Sequence, residues 1–157
     1  MKLFLLLLLF FGVLHLWPFA TWPQLATPRN KGAVALGLVF VFSGVTHLLN
    51  PDFYMPMMPA WIPLHREVIY LTGFLEIVGG LGLLSKKTRR SAAFGLITLL
   101  VAVTPANVHV AITAQSAEGT LGFGELLEHW VRVPFHFVWI VWAVWCSKKD
   151  GGDTCHS

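Results

Sequence analysis

The sequence predicts an all-α membrane protein, on three observations. Apolar runs of span length follow one another, separated by short polar junctions. Only 12% of the 157 residues are charged while 55% are hydrophobic, whereas soluble domains carry roughly a quarter charged residues. The basic residues gather in the junctions: Arg29 with Lys31, then Lys86, Lys87, Arg89 and Arg90, then Lys148 and Lys149. With a mean hydropathy of +0.66, too few polar residues remain to cover a water-soluble core. The chain therefore reads as one small membrane domain with no separate soluble domain. A net charge of +3 distributed in this way is a topology signal, not a footprint for nucleic acid.

Five apolar runs carry the expectation of five spans. The first, about Leu3 to Phe19, is followed by Trp17, Pro18, Trp22 and Pro23, aromatics and prolines typical of an interfacial anchor rather than a cleavage site. The second runs from about Gly32 to Leu49 and is ended by Asn50 and Pro51. The third covers about Val68 to Leu84 and the fourth about Ser91 to Ile112. The fifth, about Val133 to Cys146, is short unless His129 to Arg132 begin it. Residues 1–31 thus form an N-terminal hydrophobic helix with a basic junction, 32–147 the main membrane domain, and 148–157 a polar tail.

Charge bias orients these spans. With the first run retained and its N-terminus outside, all three basic clusters fall on the cytoplasmic side, as the positive-inside rule requires. Removing the first run would place the Lys86–Arg90 cluster outside. The expected topology is N-terminus outside and C-terminus cytoplasmic. Cys146 and Cys155 then sit at the cytoplasmic end as unpaired thiols, at a spacing that matches no metal motif.

Two connecting segments stand out. Asp52 to Pro63 is rich in Pro, Met and aromatics, too broken for a regular helix and too apolar for a solvated linker. It reads as an interfacial anchor or as a lid over a pocket. Ala114 to Glu128 contains glycines and acids and reads as an external loop with a short surface helix.

The chemistry centres on Glu76, a carboxylate in the middle of the third run. An acid at that depth costs a few kcal/mol on insertion scales (about 2.5–3.5), so it must be paired, neutral or used. Helical spacing places Thr72, Gly73, Glu76, Gly79 and Gly80 on one broad face, which small residues turn toward a close helix contact. The small pairs Ala33 with Gly37, Ser91 with Gly95, and Ala102 with Ala106 suggest similar contacts for the second and fourth runs.

His47, Asn107 and His136 fall in the same outer half of the bilayer as Glu76. Four spans thus contribute to one polar cluster, with Arg132 closing it from the surface, and no comparable group is expected in the inner half. This ligand-binding hypothesis, His47, Glu76, Asn107, Arg132 and His136, stands beside a purely structural reading as an interhelical clasp. Facing His47 and His136 would also suit a haem, but membrane histidines more often serve as hydrogen-bonding groups. Phosphate-binding loops, CxxC motifs, metal sites and catalytic triads are not recognisable.

The ordered succession FSGVTHLLNPDFY, MMPAWIP, YLTGFLEIVGGLGLL, KKTRR and PANVHVA resembles the DoxX family of small membrane proteins, over about Gly32 to Val144. The resemblance implies a DoxX-like four-helix transmembrane bundle, with the first run as an extra N-terminal helix. It places family-typical polar positions at His47, Glu76 and Asn107. Some members of that family are described as the membrane subunit of a thiosulfate:quinone oxidoreductase. Others are linked to oxidative-stress complexes, and distant cousins to protein maturation. The implied function is a quinone-linked oxidoreductase component that binds a small hydrophobic ligand. The alternative is a non-enzymatic membrane chaperone or assembly factor, and a small transporter is a weaker third. With no redox metal motif in the chain, electron transfer would require a bound quinone or a partner membrane or redox protein.

Overall fold

In the computed structural model, residues 2–16, 27–116 and 123–147 are described, with side chains for residues 5–16, 27–112 and 134–147. The described elements are helical: α1 (Lys2–Leu16), α2 (Pro28–Leu49), α3 (Pro51–Tyr54), a 3-10 turn at Met55–Met57, α4 (His65–Leu84), α5 (Arg89–Ser116) and α6 (Phe123–Ser147). Three stretches are long and apolar enough to cross a membrane: Pro28–Leu49, His65–Leu84 and Arg89–Ile112. Leu5–Leu16 and Pro134–Ser147 are shorter apolar segments. The molecule is an all-helical bundle of membrane composition.

Local chemistry explains where the helices begin and end. Thr27 caps α2, its Oγ1 accepting from the Asn30 backbone N–H at 3.2 Å, and Pro28 occupies the first turn, where no donor is needed. At the far end the Asn50 N–H closes on the Thr46 carbonyl at 2.9 Å before Pro51 starts α3. Four residues, Ser85 to Thr88, turn α4 into α5. Thr88 Oγ1 donates to the Gly82 carbonyl at 2.8 Å, and the Arg89 N–H donates to the Ser85 carbonyl at 2.9 Å.

The helices α2, α4, α5 and α6 form a closed ring in that order, with α2 against α4 the most extensive contact, and α1 lies outside against α2. The shared core brings Leu36, Val39 and Phe40 of α2 against Leu83 of α4, Ala93, Leu96 and Leu100 of α5, and Trp139 and Ala143 of α6. The outside is as apolar as the inside. On α4, Leu71, Phe74, Val78 and Leu81 are all more than half exposed, while Gly73 and Gly80 are buried. A continuous stripe of that kind is unstable against water and requires lipid tails.

Several expectations are corrected. The segment 114–128 is not mainly a loop, because α5 continues to Ser116 and α6 begins at Phe123. The stretch ELLE at 125–128 is built from good helix formers, and the helix extends through it. The fifth run takes the longer of its two readings, with 129–132 inside one 25-residue helix. Asp52 to Pro63 holds only the short turns α3 and the 3-10 turn, in keeping with a segment too broken for a regular helix. Of the three small-residue pairs, Ala33 and Gly37 are buried, but Gly95 has open space beside it and Ser91 is exposed, so that pair faces outward. Helical phase, which the four-residue spacing alone does not give, decides which pairs meet a neighbour. The N-terminal helix is described over Lys2–Leu16, and residues 17–26, which include the expected end of the run at Phe19, lie outside the described residues.

All the described basic junctions lie at one end of the bundle. Arg89 at the start of α5 bonds Asn30 at the start of α2. Trp142 near the end of α6 donates to the Gly32 carbonyl at 3.3 Å, and Lys31 Nζ reaches the His15 carbonyl of α1 at 3.5 Å. Asp52, Arg66 and Glu67 lie at the opposite end, where Arg66 pairs with Asp52 at 2.6 Å.

The ring depends on glycine where α2 meets α4. A Cβ on Gly44 would collide with the Gly73 carbonyl oxygen and sit 2.7 Å from the Ile77 side chain, whereas a Cβ on Gly95 would meet nothing within 4 Å. Gly44→Val is expected to destabilise the bundle by about 1–3 kcal/mol as an overpacked contact. Gly95→Ala should be neutral or stabilising by about 0.5–1 kcal/mol. Unfolding midpoints of both variants in the same detergent check the contrast.

Candidate functional site: two polar contacts between membrane helices

Gly37 and Gly44 on α2, seven residues apart, face Gly80 and Gly73 on α4, also seven apart. A Cβ on Gly37 would stand 2.7 Å from the Gly80 carbonyl oxygen, and a Cβ on Gly80 would stand 2.6 Å from that of Gly37. The backbones are therefore in direct contact at two levels, two helical turns apart. A Cβ on Gly73 would lie 2.7 Å from the His47 Cβ, so the imidazole fits only because α4 has no side chain there.

Glu76 follows Gly73 by one turn. Side chains lean toward the N-terminus of their own helix, and the two helices are antiparallel, so His47 and Glu76 lean toward each other. Their Nδ1 and Oε2 atoms approach to 3.4 Å, with side-chain exposures of 16% and 14%. Both atoms are buried without a formed hydrogen bond. The pair thus has ion-pair range but lacks hydrogen-bond geometry, whose usual distance is about 2.7–3.2 Å. It is neither exposed to lipid on a bare face nor bonded elsewhere through those atoms.

Tyr54 of α3 covers the His47 ring. Its ring meets the His47 ring edge-on, with centroids 4.1 Å apart and a 66° angle. Thr46 Oγ1 gives its proton to the Ser43 carbonyl at 2.6 Å, so the Tyr54 hydroxyl donates to Thr46 across 2.8 Å. Behind it the chain is pinned by His65 Nε2 at 3.1 Å from the Pro59 carbonyl, and Leu64 is held at φ 55°. A left-handed leucine costs about 1–2 kcal/mol, which the buried Pro59 and the two anchoring contacts must offset.

Asn107 and His136 meet in a different helix contact, that of α5 with α6. Asn107 Nδ2 lies 3.3 Å from His136 Nε2 and 3.2 Å from the Val103 carbonyl. Thr104 Oγ1 donates to the Leu100 carbonyl at 2.7 Å, and His136 Nδ1 lies 3.5 Å from the same oxygen. The proton on Thr104 is committed, so Nδ1 of His136 carries the hydrogen and Nε2 accepts from the Asn107 amide. Pro105 and Pro134 stand inside α5 and α6 beside this cluster. Each lacks an N–H for the carbonyl four residues earlier, a defect tolerated in membrane helices where polar side chains and neighbours compensate.

Of the residues singled out in the sequence, His47 meets Glu76 and Asn107 meets His136, as two contacts rather than the expected single cluster. The side chain of Arg132 lies outside the described residues. Tyr54, Thr46 and Thr104 were missed. The signals were available: an aromatic one turn past Asn50, and threonines directly before a histidine or a proline.

A further polar contact corrects the expectation that the inner half has none. Asn30 and Arg89 are buried at the basic end, with exposures of 1% and 9%. Arg89 Nη1 donates to Asn30 Oδ1 at 2.6 Å and Nε to the Leu83 carbonyl at 3.2 Å. The guanidinium thus ties the start of α2 to the C-terminal end of α4, where carbonyls and the helix dipole favour a cation. As one of four basic residues in KKTRR, Arg89 carried no sequence mark separating it from its neighbours. Cys146 is buried nearby against Gly32. Cys155 lies outside the described residues.

A family model described as a domain of unknown function, DUF8561, matches residues 36–147, most of the chain, and the chain belongs to that family. No curated protein and no solved structure matches it.

Arg89→Ala would leave the Asn30 carbonyl oxygen and the Leu83 carbonyl short of a donor. The expected loss is about 2–4 kcal/mol of stability. Lys86→Ala, exposed at the same end, should stay within about 0.5 kcal/mol of the parent. Chemical unfolding in detergent reads the difference. Tyr54→Phe keeps the ring over His47 but removes its bond to Thr46, and should cost about 1 kcal/mol in the same assay.

Proposed function

We propose that this member of the DUF8561 family is a DoxX-type integral membrane protein that binds the polar head of a small hydrophobic ligand, a quinone, beside Glu76. The observation that carries the reading is a membrane-depth carboxyl 3.4 Å from an imidazole, under a tyrosine lid. An acid and a histidine in contact can exchange a proton with a ligand oxygen, the need of any quinone redox step. Glu76 gives or takes the proton and His47 bonds the ligand oxygen. Asn107 and His136 supply neutral hydrogen-bonding groups on the neighbouring contact. The electrons come from a partner redox protein, because the chain carries no redox metal motif. The segregation of basic residues to one end supports a cytoplasmic C-terminus, with the N-terminus and the Tyr54 lid outside.

A second reading, a non-enzymatic chaperone or assembly factor, is favoured by the exposed aromatics between α2 and α4. Phe53 and Trp61 are 63% and 65% exposed. Such side chains suit a client segment as well as the bilayer interface.

The test is quinone content after purification in mild detergent, for the parent, Glu76→Gln and Glu76→Ala. The parent should retain stoichiometric quinone. Glu76→Gln should keep the fold and weaken retention about tenfold to a hundredfold, the value of one charge-assisted hydrogen bond. Glu76→Ala should lose both retention and stability. Full quinone retention in both variants would refute the site. A ligand-free parent that co-purifies with another polypeptide would favour the assembly factor.

A further inference from the structure

Between α1 and α6 runs a groove of about 480 Å³, walled by Phe11, Phe137, Val138, Val141, Trp142 and Trp145. It plays no part in the proposed quinone site, which lies on other faces of the ring. Its shape is set by aromatic packing: Phe11 meets Trp142 edge-on at 5.3 Å, and Trp142 meets Trp145 at 6.0 Å. The groove points outward, with Phe137 and Val141 at 60% and 68% exposure.

The end of the groove is not apolar. Trp142 bonds the Gly32 carbonyl, so the groove reaches the first turn of α2. There Lys31 extends its Nζ to the His15 carbonyl at 3.5 Å, and the His15 ring stacks on Phe11, a groove wall. That single long bond leaves donors of the ammonium available. An apolar channel thus ends beside a lysine at the basic end of the bundle.

We infer that this groove seats one chain of an anionic phospholipid, with the phosphate of its head group on Lys31. Charge complementarity selects the occupant. Lipid tails surround the whole bundle and are as apolar as its walls, so the groove itself distinguishes no tail from another. Discrimination comes from the head, and the Lys31 ammonium at the groove mouth favours a net negative one over a zwitterion. The basic end faces the leaflet in which anionic lipids and positive side chains attract.

The full chain is purified in mild detergent, and retained lipid is counted by native mass spectrometry after titration with phosphatidylglycerol or phosphatidylcholine. The parent should hold phosphatidylglycerol about fivefold more tightly, as expected for one basic contact. Lys31→Gln should remove that preference. The double variant Lys86→Gln, Lys87→Gln, at the same end but away from the groove, should retain the full preference. Val141→Trp fills an exposed part of the groove and should abolish retention of either lipid. Equal retention of the two lipids by the parent would overturn the inference. So would an equal loss in the Lys86/Lys87 variant, which would make the effect one of general surface charge. A second copy of the chain in place of lipid, lost on Val141→Trp, would likewise overturn it.

Discussion

The architecture depends on the bare backbone contact between α2 and α4. In a bilayer the surroundings of a helix are as apolar as its side chains, so burial alone does not hold two helices together. Close approach does, through dispersion between atoms that no side chain keeps apart. Gly37 on Gly80 and Gly44 on Gly73 provide that approach twice. It also sets the reach of everything around it. His47 and Glu76 come within 3.4 Å only because their helices are this near. With a methyl group at Gly73 the imidazole would be displaced, and the carboxyl would lose its partner.

The rest of the ring is tied at both ends of this contact. At the basic end, Arg89 spans from the last turn of α4 to the first turn of α2, and Trp142 ties α6 to the same turn. At the other end, Tyr54 folds back over His47, with Arg66 and His65 pinning the segment that carries it. The exposed Arg66–Asp52 pair contributes little energy by itself. The buried bonds from Arg89 are worth more, since their removal strands polar groups away from water. Stability is therefore concentrated at the helix ends and the glycine contact, while lipid-facing side chains such as Phe74 and Phe94 set solubility in the bilayer.

Much of the fold was legible from hydropathy alone. Apolar runs of span length and proline- or lysine-marked junctions placed α2, α4 and α5 within a few residues of their ends. The length of α6 was not legible, because its first part reads as polar and proline interrupts it at Pro134. Glu76 stood out because an acid among leucines is costly, and its partner His47 stood out for a related reason. What the sequence did not convey was phase around the ring. Depth placed His47, Glu76, Asn107 and His136 at one level, but rotation put them in two contacts. Arg89 was indistinguishable from Lys86, Lys87 and Arg90 in one dimension. Only the turn at Ser85 to Thr88 directs it inward.

The α5–α6 cluster has an asymmetry of its own. As arranged, the Asn107 amide gives a proton to Nε2 of His136, and the Thr104 oxygen takes one from Nδ1. If the ring gains a second proton, Nε2 ceases to accept. A carboxamide rotated half a turn about its terminal bond presents oxygen where nitrogen stood. Asn107 is thereby able to answer either ionisation state of the ring without moving its helix, though the reversed orientation gives up its bond to the Val103 carbonyl. An aspartate there would accept from an N–H but could not donate to a bare nitrogen, and a leucine could do neither. The carboxamide at 107 can thus pair with Nε2 whether or not that nitrogen carries a proton, at the cost of one backbone bond.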